Sequence, residues 1–233
     1  LDSRAVLDFF HRVVEPLALQ ALGDETLHAS AVSLASGVVG FCGDCESGKS
    51  TIAYGLSRRG YRQLADDSLV LQFGHQGVRA RELPFGVRLR PQSAAFFGVG
   101  SGATQIRATG ASAAATVSTQ PLSALFILSR TSAGQPVAEQ LPALAAYQAL
   151  LPFARCFDAK DREVRRRVLQ HYLELVAVIP VFTLKYASGL ESLPAVFDCV
   201  ERAVGPVKPV KPVKHVESVE SVEPVEPVEV EVA

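Results

Sequence analysis

The sequence predicts an α/β domain, a P-loop-containing mixed sheet with flanking helices, and three observations carry that prediction. Strand patterns alternate with helical stripes from residue 27 to residue 204, the order that packs helices on the faces of a sheet. A glycine-rich loop at 43–50 follows one such strand and opens one such helix. The composition, 48% hydrophobic over 233 residues, is enough for one sizeable core.

The elements follow in order. Residues 4–14 carry Val6, Phe9, Phe10, Val13 and Val14 at helical spacing, with Ser3 available as N-cap. Pro16 and Gly23 punctuate the chain after it. Residues 27–34 alternate as a strand, Ser36-Gly37 reads as a tight turn, and 38–42 as a second strand. The helix expected at 49–59 has Ile52, Ala53 and Leu56 on one face, Arg58 and Arg59 in its last turn and Gly60 at its end. Residues 61–65 return as a strand. A Gly/Ala/Ser/Thr-rich stretch at 98–119 reads as a long loop. Residues 122–128 form a buried strand, 137–153 and 162–178 two helices, 181–186 another strand and 193–204 a closing helix that Gly205 stops. The catalytic domain is therefore expected over 1–204. Residues 205–233 repeat Val with Pro, Lys and then Glu, a composition that blocks regular hydrogen bonding and offers no core, so a mobile, solvated tail is expected there.

Charge and cysteine usage narrow the function classes. Twenty-three basic residues balance 24 acidic ones, so neither nucleic acid nor an anionic membrane is the default partner. No apolar run is long enough to span a membrane. Four cysteines do not make a disulfide scaffold at this size, and no secretory leader opens the chain. A cytoplasmic setting is expected.

The 43–50 loop carries the chemistry. Gly43, Asp44, Cys45, Glu46, Ser47, Gly48, Lys49 and Ser50 match G-x-x-x-x-G-K-[ST] at every specified place, and Thr51 continues into the helix. Glycines let backbone N–H groups approach phosphate oxygens, and the helix N-terminus adds positive potential. A lysine at this place lies against the β and γ phosphates, and a serine hydroxyl here ligates Mg²⁺. A mere turn has no need of Gly-Lys-Ser, so nucleotide binding is expected. Cys42 and Cys45 also form a C-x-x-C, but a disulfide there contorts the phosphate cradle, which disfavours a redox reading.

Asp66 and Asp67 end the strand after the loop helix, on the edge where such sheets gather their ligands. Phosphoryl transfer needs one acid to anchor the metal and one to orient or deprotonate the acceptor, and two adjacent acids can divide those roles. An acidic turn is the plainer alternative for the pair. His28 lies in a strand, where a lone histidine is more often a satisfied core or edge residue than a catalytic one.

Taken together, His28 in LHASAV, the GDCESGKS loop and the run Arg59-Gly60-Tyr61-Arg62-Gln63-Leu64-Ala65-Asp66-Asp67 resemble the catalytic domain of HPr kinase/phosphorylase. More closely, they resemble the stand-alone HPr-kinase-like serine kinases, some of which accompany lasso-peptide gene clusters. The resemblance covers roughly residues 27–70. It implies a phosphoenolpyruvate-carboxykinase-like fold and an ATP-dependent kinase that moves the γ-phosphoryl to a Ser or Thr hydroxyl of a peptide or small protein. It implies ATP and Mg²⁺, with Lys49 on the β/γ phosphates, Ser50 and Asp67 on the metal, Asp66 as the acid that accepts the acceptor's proton, and His28 beside it. It also hints at a homo-oligomer. Arg81-Glu82-Leu83-Pro84 and Arg88-Leu89-Arg90 stand where the two-activity enzymes carry a Glu-Ile-Arg-Gly-like segment, so the phosphorolysis signature is missing. Glu82 is the candidate second metal acid, and Arg88 and Arg90, read as alternating on a strand, are candidates for gripping phosphate. A small-molecule hydroxyl kinase and a nucleotide-sensing module without transfer are the competing readings.

Overall fold

The computed structural model describes residues 3–100, 105–107 and 118–205. In chain order these form α1 (Ser3–Phe9), a π-helical turn (Phe10–Val14), α2 (Glu15–Ala21), β1 (Glu25–Leu27), β2 (Ala29–Leu34), β3 (Gly37–Cys42), α3 (Lys49–Arg58), β4 (Arg62–Ala65), β5 (Leu69–Gly74), β6 (Gly77–Arg81) and β7 (Phe85–Val87). Then come α4 (Pro91–Phe96), β8 (Gln105–Arg107), β9 (Thr119–Thr131), β10 (Val137–Gln140), α5 (Ala143–Leu150), β11 (Ala154–Arg155), α6 (Arg162–Val178), β12 (Val181–Ala187) and α7 (Leu193–Val204). The tail expected at 205–233 lies outside the described residues beyond Gly205, and so does most of the loop expected at 98–119.

The architecture is a mixed α/β sheet with helices on its faces, as the alternation predicts. Ten strands form the main sheet, and β7 and β8 pair separately. At its centre β3, β9 and β12 run parallel, Phe41 opposite Phe126 and Phe126 opposite Phe182. The stacked rings of Phe41, Phe126 and Phe182 pin that register. Antiparallel strands flank the parallel centre: β2 and β4 on the β3 side, and β6, β5, β1 and β11 beyond β9. Because the three parallel strands point the same way, their carboxyl ends bring Gly43, Arg130 and Tyr186 to one edge, where α/β sheets bind ligands.

Two hydrophobic clusters fasten the helices. One joins Leu27, Leu69 and Leu125 to Leu150 of α5 and to Tyr172 and Leu175 of α6. The other joins Phe41 and Phe126 to Ile52 and Leu56 of α3 and to Val196, Phe197 and Val200 of α7. A Cβ at Gly55 would fall 2.2 Å from the Phe197 ring, so glycine is what lets α3 and α7 close on each other.

Four sequence expectations change. The strand expected at 27–34 is two strands: β1 pairs with β5 and β11, whereas β2 pairs with β3 and β4. His28 is the break between them, its N–H donating to the Phe153 carbonyl at 2.8 Å. The helix expected at 137–153 starts as a strand, β10 on the edge of β12, because Pro142 sets the helix start. The first helix does not stop near Pro16 but passes it through the π-helical turn. Finally, Arg88 and Arg90 do not alternate on a strand, since β7 ends at Val87.

Candidate functional site

A cleft of about 660 Å³ opens along the carboxyl edge of the parallel strands, a size typical of small-ligand sites. The 43–50 loop forms one wall. Gly43 and Gly48 take φ of 157° and 103°, and Glu46, a non-glycine, takes φ of 71°. Gly48 has a second requirement, because a Cβ there would sit 2.7 Å from the Tyr186 hydroxyl. That hydroxyl donates to the Ser47 carbonyl, and Arg130 hydrogen-bonds Tyr186 in turn. The loop is thus buttressed from the ends of β9 and β12.

Lys49 opens α3 and is buried, its ammonium donating to the carbonyls of Gly43 at 2.7 Å and Asp44 at 2.9 Å. Burial pushes its pKa down, and the charge of Asp67 opposes that shift. Ser47 Oγ is buried with no partner, an orphaned hydroxyl inside a glycine cradle, which fits a phosphate group. Thr51 lines the same cleft and meets Ser93 there, the two hydroxyls 3.0 Å apart. Cys45 is exposed, whereas the Cys42 thiol is buried and pushed up to about 12 by desolvation. A buried thiol so hard to ionise is a poor redox nucleophile.

Asp66 and Asp67 divide sharply. Asp66 is buried beneath Ser50, whose hydroxyl donates to it. It also accepts from Ser30 Oγ at 2.7 Å and from the Arg88 N–H at 3.3 Å. Burial raises its pKa, and the Ser50 and Ser30 bonds pull it partway back. Its carboxylate does not line the cleft; it lines a void of only about 10 Å³ behind it, with Asp8 and Arg12.

Asp67 does line the cleft, together with His28, Lys49, Ser50 and Arg88. Its φ of 73° is left-handed, a strain on the order of 1–2 kcal/mol for a side-chain-bearing residue. His28 Nδ1 is 3.1 Å from Oδ1, Arg12 donates to Oδ2 at 3.0 Å, and Arg155 lies 3.8 Å from Oδ2. The His28 hydrogen bond, and after it the charges of His28 and Arg12, hold this carboxyl well below the usual carboxylate range despite partial burial. Asp67 is a carboxylate kept ionised and aimed; Asp66 is a carboxylate kept dry.

Around this pair the cleft is cationic. Lys49, Arg88, Arg90 and Arg130 all line it, Arg90 paired with Glu46 and Arg88 with Asp8. Glu82 does not join them: it is buried, it pairs with Arg62, and its Oε2 has no partner. Among the described residues no group of three or more His, Cys, Asp or Glu is placed to hold a metal ion by itself. The expected Mg²⁺ ligands Ser50 and Asp67 both line the cleft, and Ser50 donates to the buried Asp66; a hydroxyl, a carboxylate and oxygens of a bound phosphate make a donor set that suits this ion.

Residues that sequence reasoning missed are Arg12, Arg130, Arg155 and Tyr186. Arg130 and Tyr186 follow from topology, since they lie at the carboxyl ends of parallel strands, opposite each other in the β9–β12 register. Arg12 and Arg155 arrive from the π-helical turn and from β11; Pro16, four residues after Arg12, is a local sign that the Arg12 carbonyl lacks its helical donor, whereas no local motif marks Arg155.

The chain matches no protein-family model and no curated protein. Among the solved structures similar to it is the HPr(Ser) kinase/phosphatase from Coxiella burnetii, at 13% identity and a TM-score of 0.42, over 76% of this chain and 95% of that one. A likeness at that level transfers no residue role. Among the described residues no helix is long and apolar enough to cross a membrane.

Proposed function

We propose that this chain is an ATP-dependent kinase that transfers the γ-phosphoryl group to a hydroxyl of a peptide or small protein, with Ser or Thr as acceptor. One observation carries the reading: the ionised Asp67 carboxylate, on a strained left-handed turn, faces the same cleft as Lys49 and the glycine cradle. A carboxylate fixed opposite the lysine can orient an acceptor hydroxyl toward the terminal phosphate, which supports transfer over binding alone.

Lys49 leaves the carbonyls of Gly43 and Asp44 to meet phosphate oxygens, and Arg130 neutralises charge beside Gly48. Bound Mg²⁺ would offset the phosphate charge, held at Ser50. Asp67 takes the acceptor hydroxyl as a hydrogen-bond donor, orients its oxygen toward the terminal phosphorus and receives its proton as the new P–O bond forms and the bond from that phosphorus to the β–γ bridging oxygen breaks, releasing ADP. Phosphoryl transfer is loose, so orientation matters more than basicity, and a carboxylate of low pKa suffices. His28 steadies Asp67 from one side. The two acids thereby exchange the roles that the family resemblance implies: Asp66 backs the metal-holding serine, and Asp67 meets the acceptor.

The test is incubation with γ-labelled ATP, Mg²⁺ and a serine-bearing peptide library. Label is expected on peptide with the parent protein and is expected to be lost in Asp67→Asn and in Lys49→Ala. Transfer that persists in Asp67→Asn overturns the reading. The tight grip of Arg12 and His28 on Asp67 favours a second reading, a nucleotide sensor without transfer. In that case the parent binds ATP and labels nothing.

A further inference from the structure

We propose that Arg12 is a positioning residue for Asp67, so that the N-terminal helical segment, α1 through α2, is a working part of the site. The inference rests on the kinase reading above and adds the device that fixes its acceptor-facing acid.

The cause is local. Pro16 has no N–H, so the Arg12 carbonyl four residues earlier loses its α-helical donor, and the chain passes the proline through the π-helical turn Phe10–Val14. Turns of that kind often occur at functional sites. The freed Arg12 carbonyl accepts from Ser68 Oγ at 3.0 Å, which ties down the residue following Asp67. The guanidinium meanwhile donates to Asp67 Oδ2 at 3.0 Å and to the Gly86 carbonyl, at the end of the chain's path to Arg88, at 2.9 Å. Its Nε reaches Asp8 Oδ1 at 3.4 Å, and Asp8 also takes Arg88. One residue therefore fixes the Asp67 carboxylate, the backbone after it and the segment bearing Arg88.

The grip is divided. His28 faces Oδ1 and Arg12 faces Oδ2, with Arg155 behind and Lys49 across the cleft. A carboxylate has about four lone-pair sites, so both oxygens keep capacity for an acceptor hydroxyl while the group is held from swinging. The guanidinium reaches Asp67 and Gly86 from two separate nitrogens held in one plane; a lysine ammonium has three donors, but on a single nitrogen at the end of a flexible stem.

The experiment compares the full chain with Arg12→Ala, Arg12→Lys, Asp67→Asn and the Arg12→Ala/Asp67→Asn double variant. Misplacing a reacting group by an ångström costs about a hundredfold, so kcat for transfer is expected to fall by that order in Arg12→Ala, with KM for ATP within about threefold of the parent. Added guanidinium ion restores part of the loss, Arg12→Lys restores little, and the double variant is no slower than Asp67→Asn alone, because Arg12 acts through that carboxylate. Transfer within about twofold of the parent in Arg12→Ala, or losses that multiply in the double variant, overturn the proposal.

Hydrogen exchange across residues 66–69 reads the same claim without turnover. Exchange there is expected to quicken in Arg12→Ala, with α3 unchanged, and unaltered exchange overturns it. Should the N-terminal helix come loose in the alanine variant, Arg12→Lys, which keeps the charge beside Asp8, carries the exchange test. A parent protein that transfers no phosphoryl group ends the kinase reading, while the exchange result still decides the role of Arg12.

Discussion

On the loop wall of the cleft Lys49 is held by carbonyls six and five positions away in the chain. On the acid wall Asp67 is held by residues 55, 39 and 88 positions away. The first wall is set mainly by local rules, glycine conformations and a helix start, with Tyr186 buttressing it from β12. The second exists only when the N-terminal helix, the β1–β2 break and β11 have all docked. On the proposed function, binding chemistry would sit mainly on the part of the site that local sequence dictates, and acceptor chemistry on the part that tertiary structure assembles. Damage to the first wall should remove nucleotide binding and transfer together; damage to the second should separate them.

The largest effect expected is from Lys49→Ala. Losing the one buried ammonium of the cradle lowers transfer by about a thousandfold and weakens ATP binding, read by titration calorimetry. If binding survives that change intact, the loop wall is not what the comparison takes it to be. Next comes Asp67→Asn, which lowers kcat by about a hundredfold or more with ATP affinity within about threefold, measured by the same calorimetry alongside label transfer.

A third change tests stability. Burial raises the Asp66 pKa in the fold, so the folded state holds that proton more tightly than the unfolded chain does. The carboxyl therefore favours the fold most at low pH, and this contribution is lost as pH rises through its elevated folded pKa. At neutral pH Asp66→Asn removes a buried charge and is expected to melt at or above the parent temperature while losing transfer. The advantage should vanish below about pH 4, where both carboxyl forms are protonated. A clear drop in melting temperature at neutral pH would show that the Ser30 and Ser50 bonds outweigh the burial. The smallest effect is chemical: in the native protein at mildly alkaline pH iodoacetamide should label exposed Cys45, and ATP with Mg²⁺ should slow it. Buried Cys42, with its thiol pushed up to about 12, should stay unmodified, as peptide mass mapping will show.

The same division explains what was legible beforehand. The 43–50 loop, α3 with its Gly60 stop, and the parallel strands could all be read because their determinants lie within a few residues of each other. Asp66 and Asp67 could be found as a pair, and the resemblance gives each a role, but which of the two faces the cleft goes with a left-handed turn at Asp67 that its side chain does not announce. Arg12 was read only as part of a helical stripe, although Pro16 four residues on was the signal that its carbonyl would need another donor. Arg88 and Arg90 alternate as strand residues do, yet β7 ends before them. His28 looked like a strand residue because the pattern runs unbroken from 27 to 34; the break comes from two sets of pairing partners that no local pattern records.

The central claim, that Asp67 faces the acceptor across a nucleotide cradle, is tested most directly by measuring ATP affinity and peptide labelling on the same preparation of Asp67→Asn. The account predicts near-parental binding of ATP with Mg²⁺ and labelling reduced to about a hundredth of the parent's rate. Labelling at the parental rate with binding intact would contradict it.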